Sequence, residues 1–88
     1  DRLYGWAGSD LLVGESGDDL EFGGQDGDLV LGFGGNDALY GEEGDDRLYG
    51  DQENDLLAGQ VGADEVWGGA GDDRLYGWED DDLLVGET

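Results

Sequence analysis

Large apolar side chains recur along this chain at intervals of nine: Leu3, Leu12, Val30, Leu39, Leu48, Leu57, Val66, Leu75 and Leu84, with Glu21 the one interruption. Each lies at the centre of a short block: Arg2–Tyr4, Leu11–Val13, Leu20–Phe22, Leu29–Leu31, Ala38–Tyr40, Arg47–Tyr49, Leu56–Ala58, Glu65–Trp67, Arg74–Tyr76 and Leu83–Val85. These blocks are apolar or aromatic and bounded by glycine and aspartate, the signature of strands separated by turns. No stretch carries the 3.6-residue period of a helix. The pattern predicts ten three-residue strands joined by six-residue turns.

The turns repeat as strictly as the strands. Gly68–Tyr76 defines the frame: Gly, Gly, any residue, Gly, any, Asp, any, large apolar, any. First-position glycines stand at Gly5, Gly14, Gly23, Gly32, Gly41, Gly50, Gly59, Gly68, Gly77 and Gly86. Sixth-position aspartates stand at Asp1, Asp10, Asp19, Asp28, Asp37, Asp46, Asp55, Asp64, Asp73 and Asp82. A fixed period of this kind signals a solenoid.

One strand and one turn make half a coil. Two units, about 18 residues, return the chain above its start, which stacks parallel strands on two facing sheets. The central residue of each strand then points between the sheets and its neighbours point outward. The preference for right-handed parallel connections sets the hand. The expected architecture is all-β, right-handed, of about five coils, with residues 1–88 as a single repeat domain. Exposed edge strands leave end-to-end and face-to-face self-association open.

Composition narrows the function. Three basic and 25 acidic residues give a formal net charge of −22. With no basic stripe to displace phosphate counterions, nucleic acid is not an expected partner. Cysteine and histidine are absent, which removes disulfides, thiolate sites and the usual zinc ligand. No apolar run is long enough to span a bilayer and no signal peptide is visible. A chain so acidic and rich in glycine, with nine apolar core positions, needs a further source of stability.

The aspartate spacing identifies that source. Turns on one side run Gly5–Asp10, Gly23–Asp28, Gly41–Asp46, Gly59–Asp64 and Gly77–Asp82; those on the other run Gly14–Asp19, Gly32–Asp37, Gly50–Asp55 and Gly68–Asp73. Stacking at ~4.8 Å makes two ladders of like charge. A cation midway would lie ~2.4 Å from oxygen on both sides, the calcium distance, whereas magnesium requires ~2.0–2.1 Å. Glycine-rich turns allow backbone carbonyls to complete a shell of hard oxygens.

The frame resembles the nonapeptide of the RTX calcium-binding repeats over the whole chain. The resemblance implies a parallel β-roll holding Ca²⁺ between successive turns of one side. It implies side-chain ligands Asp10, Asp19, Asp28, Asp37, Asp46, Asp55, Asp64, Asp73 and Asp82. It also implies carbonyl ligands at first, third and fifth positions. On one side these are Gly5, Ala7, Ser9, Gly23, Gln25, Gly41, Glu43, Asp45, Gly59, Val61 and Gly77. On the other they are Gly14, Ser16, Asp18, Gly32, Gly34, Asn36, Gly50, Gln52, Gly68, Ala70 and Asp72. Five turns and four give about seven sites, and seven Ca²⁺ would bring the charge to about −8. Relatives sit in secreted toxins, proteases and adhesins and fold on meeting external calcium, so an extracellular, non-catalytic, calcium-dependent folding module is expected.

Several residues depart from the frame. Second-position glycine is kept only at Gly24 and Gly69 and replaced by Trp6, Glu15, Phe33, Glu42, Asp51, Gln60, Trp78 and Glu87. Asp26, Glu53 and Asp80 replace the fourth. If these positions need positive φ, each replacement strains its turn. Glu21 must be neutralised, solvated near an end, or out of register. Tyr4, Phe22, Tyr40, Tyr49, Trp67 and Tyr76 face outward and are expected to stack between coils, with Trp6 and Trp78 covering the ends. DRLYGW occurs at Asp1–Trp6 and again at Asp73–Trp78, which points to recent duplication or deliberate construction. The alternative reading is therefore an engineered or adhesin-type scaffold that folds largely without metal. An enzyme would need a nucleophile or base outside the frame, and none is apparent.

Overall fold

A computed structural model describes residues 1–86, so the second-position residue Glu87 lies outside the described part. Ten strands follow in order: β1 Arg2–Tyr4, β2 Leu11–Val13, β3 Leu20–Gly24, β4 Leu29–Leu31, β5 Ala38–Glu43, β6 Arg47–Asp51, β7 Leu56–Val61, β8 Glu65–Gly69, β9 Arg74–Tyr76 and β10 Leu83–Val85. Odd strands form one parallel sheet, β1-β3-β5-β7-β9, and even strands the other, β2-β4-β6-β8-β10. Every pair is in register at a shift of 18, as in Leu12 opposite Val30 and Leu39 opposite Leu57. The chain is the all-β parallel solenoid that its period predicts. Among the described residues no helix is long and apolar enough to cross a membrane.

The core is one residue wide. Leu12, Val30, Leu39, Leu48, Leu57 and Val66 fill the space between the sheets, with Leu3 and Leu75 packed against them. A three-residue strand can turn only its central side chain inward, which is why the eighth position carries the apolar series.

Five strands run past their predicted ends, because parallel pairing continues into the turn. Glu42 pairs with Gln60 and Glu43 with Val61, for example. The outward aromatics stack as expected: Tyr4 on Phe22 and Phe22 on Tyr40, both at 5.2 Å, and Tyr49 on Trp67 at 6.2 Å. Tyr76 is cut off from the Tyr4–Phe22–Tyr40 column by Ala58 and meets Trp78 instead. Trp6 and Trp78 do not cover the ends; they lie 73% and 70% exposed.

The second and fourth positions do require a left-handed backbone. Among the described residues, all ten non-glycine residues with positive φ occupy them, from Trp6 (70°) and Glu15 (75°) to Glu53 (73°) and Asp80 (72°). Each costs about 1–2 kcal/mol relative to an unstrained backbone.

Candidate metal centre

The sixth-position aspartates form two columns inside the turns, Asp10-Asp28-Asp46-Asp64-Asp82 and Asp19-Asp37-Asp55-Asp73. They are not a solvated acidic face, since Asp19, Asp28, Asp37, Asp46, Asp55 and Asp64 are buried. One carboxylate oxygen is used by the fold. The Asp10 N–H donates to Asp28 Oδ1 at 2.7 Å, Asp28 to Asp46 at 2.7 Å, Asp46 to Asp64 at 2.7 Å and Asp64 to Asp82 at 2.9 Å. Asp19, Asp37 and Asp55 donate likewise to Asp37, Asp55 and Asp73, each at 2.8 Å. These bonds hold successive coils in register.

The other oxygen is left alone. Oδ2 of Asp10, Asp19, Asp28, Asp37, Asp46, Asp55, Asp64 and Asp73 is buried without a hydrogen-bond partner among the described residues. A native fold rarely strands so many polar atoms, and each costs on the order of 1–3 kcal/mol if nothing answers it.

Each Oδ2 lies against the first-position glycine of its own turn. A Cβ on Gly14 would sit 2.6 Å from Asp19 Oδ2, and one on Gly32 2.5 Å from Asp37 Oδ2. Gly41, Gly50, Gly59, Gly68 and Gly77 face Asp46, Asp55, Asp64, Asp73 and Asp82 in the same way. At Gly5 the hypothetical Cβ meets both Asp10 Oδ2 at 2.7 Å and the Gly23 carbonyl of the next coil at 2.5 Å. At Gly23 it meets Asp28 Oδ2 at 2.7 Å and the Gly41 carbonyl at 2.9 Å. The invariant first glycine thus keeps open a cradle that carboxylate and carbonyl oxygens share.

The remaining predicted residues divide by position. At the third position, Gln25 donates its N–H to the Trp6 carbonyl, Gly34 to Glu15, Gln52 to Phe33 and Ala70 to Asp51, while Ser16 bridges Gly34. Ala7, Glu43 and Val61, at the third position of other turns, line a groove together with Gln25. Among the described residues, no hydrogen bond between turns ends on the carbonyls of Gly5, Ser9, Gly14 or Asp18.

Fifth positions carry a second ladder that the period did not announce. Asp18 Oδ1 accepts the Asn36 N–H at 2.8 Å, Asn36 Oδ1 that of Asn54 at 2.9 Å and Asn54 Oδ1 that of Asp72 at 2.7 Å. Asp45 does the same for Ala63 at 2.9 Å. Asn, Asp and Ser are frequent at this position, and their readiness to bond nearby backbone was the available signal.

Burial sets the electrostatics. It pushes Asp46 up to about 8 and Asp55 to about 7, in each case against the hydrogen bond from the preceding coil and aided by neighbouring carboxylates. Asp37 and Asp64 rise to about 6, and Asp28 and Asp73 rise too, for the same first reason. Alone, these groups resist carrying their charge; a cation beside them reverses the balance.

Glu21 is a separate case. It stays in register between Leu3 and Leu39, fully buried, with neither carboxylate oxygen partnered. It is neither solvated nor out of register. Burial, reinforced by Asp37 and Asp19, lifts it to about 8, so neutralisation is the state its surroundings favour.

The donors fit a hard divalent cation: stranded carboxylate oxygens, backbone carbonyls, and no nitrogen or sulfur ligand. Among the described residues no three acidic side chains converge on one point. A site therefore has to combine paired aspartates with main-chain oxygens.

A parallel solenoid whose stacked turns repeat such oxygens every nine residues has the design of a cation-binding repeat. The RTX calcium-binding nonapeptide repeat family, as four copies, matches residues 1–21, 22–57 and 58–88, and the chain belongs to that family. Neither a curated protein nor a solved structure matched it.

Proposed function

We propose that residues 1–88 form a single, non-catalytic module that folds on binding Ca²⁺ outside the cell. The observation that carries this reading is the double row of buried Oδ2 atoms without partners. Calcium would be held by the pairs Asp10/Asp28, Asp28/Asp46, Asp46/Asp64 and Asp64/Asp82, and by Asp19/Asp37, Asp37/Asp55 and Asp55/Asp73, together with first-, third- and fifth-position carbonyls: about seven sites. When bound, the ion supplies the positive charge that the buried carboxylates lack. Because the aspartates are brought together only in the coil, binding free energy becomes folding free energy. The secreted setting is typical of the family.

A second reading has its own support. The Asp N–H to Asp Oδ1 bonds and the Tyr4–Phe22–Tyr40 stack join coils without any metal. They suit a scaffold that folds unaided and self-associates through its edges.

Far-ultraviolet circular dichroism separates the two, recorded in EDTA and then through a calcium titration, with magnesium as control. A coil spectrum that turns to β steeply with calcium is expected. A β spectrum already present in EDTA sinks the folding switch.

A further inference from the structure

Trp6 and Trp78 stand at second positions on the same side of the coil, four coils and roughly 19 Å apart. Both have left-handed backbones, φ 70° and 72°, and both leave most of the indole in water. Glycine at either position would relieve the backbone and remove nothing from the core. In return the fold gains one stack on Tyr4 at 5.5 Å and one tilted contact with Tyr76 at 6.4 Å. Other second-position residues share the left-handed backbone, but only here does it carry two indoles left mostly in water, and that exposure points to a ligand.

A groove of about 610 Å³ starts at Trp6 and runs across the stacked turns to Gln60 and Val61. There an adjoining hollow of about 210 Å³ carries it to Trp78. Gly24, also in its lining, lets the backbones of the first two coils approach closely, since a Cβ there would strike the Trp6 carbonyl. Its polar groups are the amides of Gln25 and Gln60 and the carboxylates of Glu42 and Glu43.

We propose that this groove binds a neutral oligosaccharide chain laid along the coil axis. The C–H faces of sugar rings cover Trp6 and Trp78, hydroxyls donate to Glu42 and Glu43, and other sugar oxygens accept from the Gln25 and Gln60 amides. No lysine or arginine lines the groove, so phosphate-, sulfate- or uronate-bearing ligands meet only repulsion. A cationic peptide would find carboxylates on every face of a chain with 25 acidic residues. What distinguishes this side is a tryptophan at two of its second positions; the opposite turns carry Glu15, Phe33, Asp51 and Gly69 there.

The test titrates the calcium-loaded 88-residue chain, with folding followed by circular dichroism, against cellohexaose, mannohexaose and maltohexaose by calorimetry. At least one is expected to bind. Trp6→Gly and Trp78→Gly should each weaken that binding about tenfold while leaving the thermal midpoint close to the parent's, since relieved strain offsets the lost aromatic contact. Phe33→Gly, at a second position outside the groove, should raise the midpoint and leave binding unchanged. The inference is overturned if none of the three sugars binds, or if both tryptophan variants bind like the parent. It is also overturned if hexalysine binds where the sugars do not, or if the tryptophan variants dissociate a self-associated form covering the groove.

Discussion

The Asp28 N–H donates to Asp46 Oδ1 at 2.7 Å, while Oδ2 of the same carboxylate has no partner. One oxygen joins coils and the other is free for a cation, so the two roles can be separated by substitution. Asp46→Asn keeps the Oδ1 acceptor and removes the charge. In EDTA this variant should be at least as stable as the parent, because it carries no buried carboxylate to ionise. In calcium it should bind more weakly, with a folding midpoint raised about tenfold, because Asp46 serves two of the proposed sites. Asp46→Ala should be less stable in both conditions. Thermal melts with and without calcium decide this; equal loss for Asn and Ala in EDTA would contradict the division of roles.

Acid should stand in for metal. The carboxyls of Asp37, Asp46, Asp55, Asp64 and Glu21 are raised to between about 6 and about 8 in the coil. In the unfolded chain they titrate near 4. Between those limits the coil binds more protons than the unfolded chain, so its stability falls as pH rises. Without metal, β structure should therefore appear as pH drops from 8 towards 5. With calcium saturating, the trend reverses, because protons compete for the same oxygens. Circular dichroism against pH, in metal-free buffer and again at saturating calcium, reads the two trends, and a calcium-free spectrum that does not change between pH 8 and 5 would refute the first.

What the sequence disclosed follows from its period. Residues nine apart must be equivalent in a solenoid, so the register of Leu12 on Val30, the alternation of sheets and the two aspartate columns could all be read directly. Side-chain direction could not. That Asp46 turns Oδ1 to the Asp28 N–H and Oδ2 to Gly41 depends on its two side-chain torsions, which spacing leaves free. The Asn36–Asn54 bond was hidden for the same reason. Spacing does not place Trp6 and Trp78 either: their indoles lie against Tyr4 and Tyr76 instead of covering the ends.

Glu21 should be a liability that can be removed. It occupies a core position between Leu3 and Leu39 with no partner for either oxygen. Glu21→Leu restores the apolar column and should stabilise the coil by about 1–3 kcal/mol, with or without calcium. Glu21→Gln should gain less, since a buried amide also goes unanswered. Chemical denaturation of the three proteins at one calcium concentration gives the order, and a less stable leucine variant would mean that Glu21 has a partner in solution.

The fourth position offers a paired comparison of backbone strain. Asp26 and Glu53 both have left-handed backbones there, φ 71° and 73°. Asp26 recovers part of that cost, because its Oδ2 accepts the Gly8 N–H at 3.0 Å. Among the described residues Glu53 makes no such side-chain bond between coils. Glycine relieves roughly 1–2 kcal/mol of strain but loses about 0.5–1 kcal/mol to the greater freedom of the unfolded chain. Glu53→Gly should therefore gain about 0.5–1 kcal/mol, whereas Asp26→Gly should be close to neutral. A β-branched residue such as Glu53→Val should destabilise instead, since its backbone tolerates positive φ least. Thermal midpoints at saturating calcium rank the three variants. If Glu53→Gly melts below the parent, Glu53 is held by a contact that outweighs its strain.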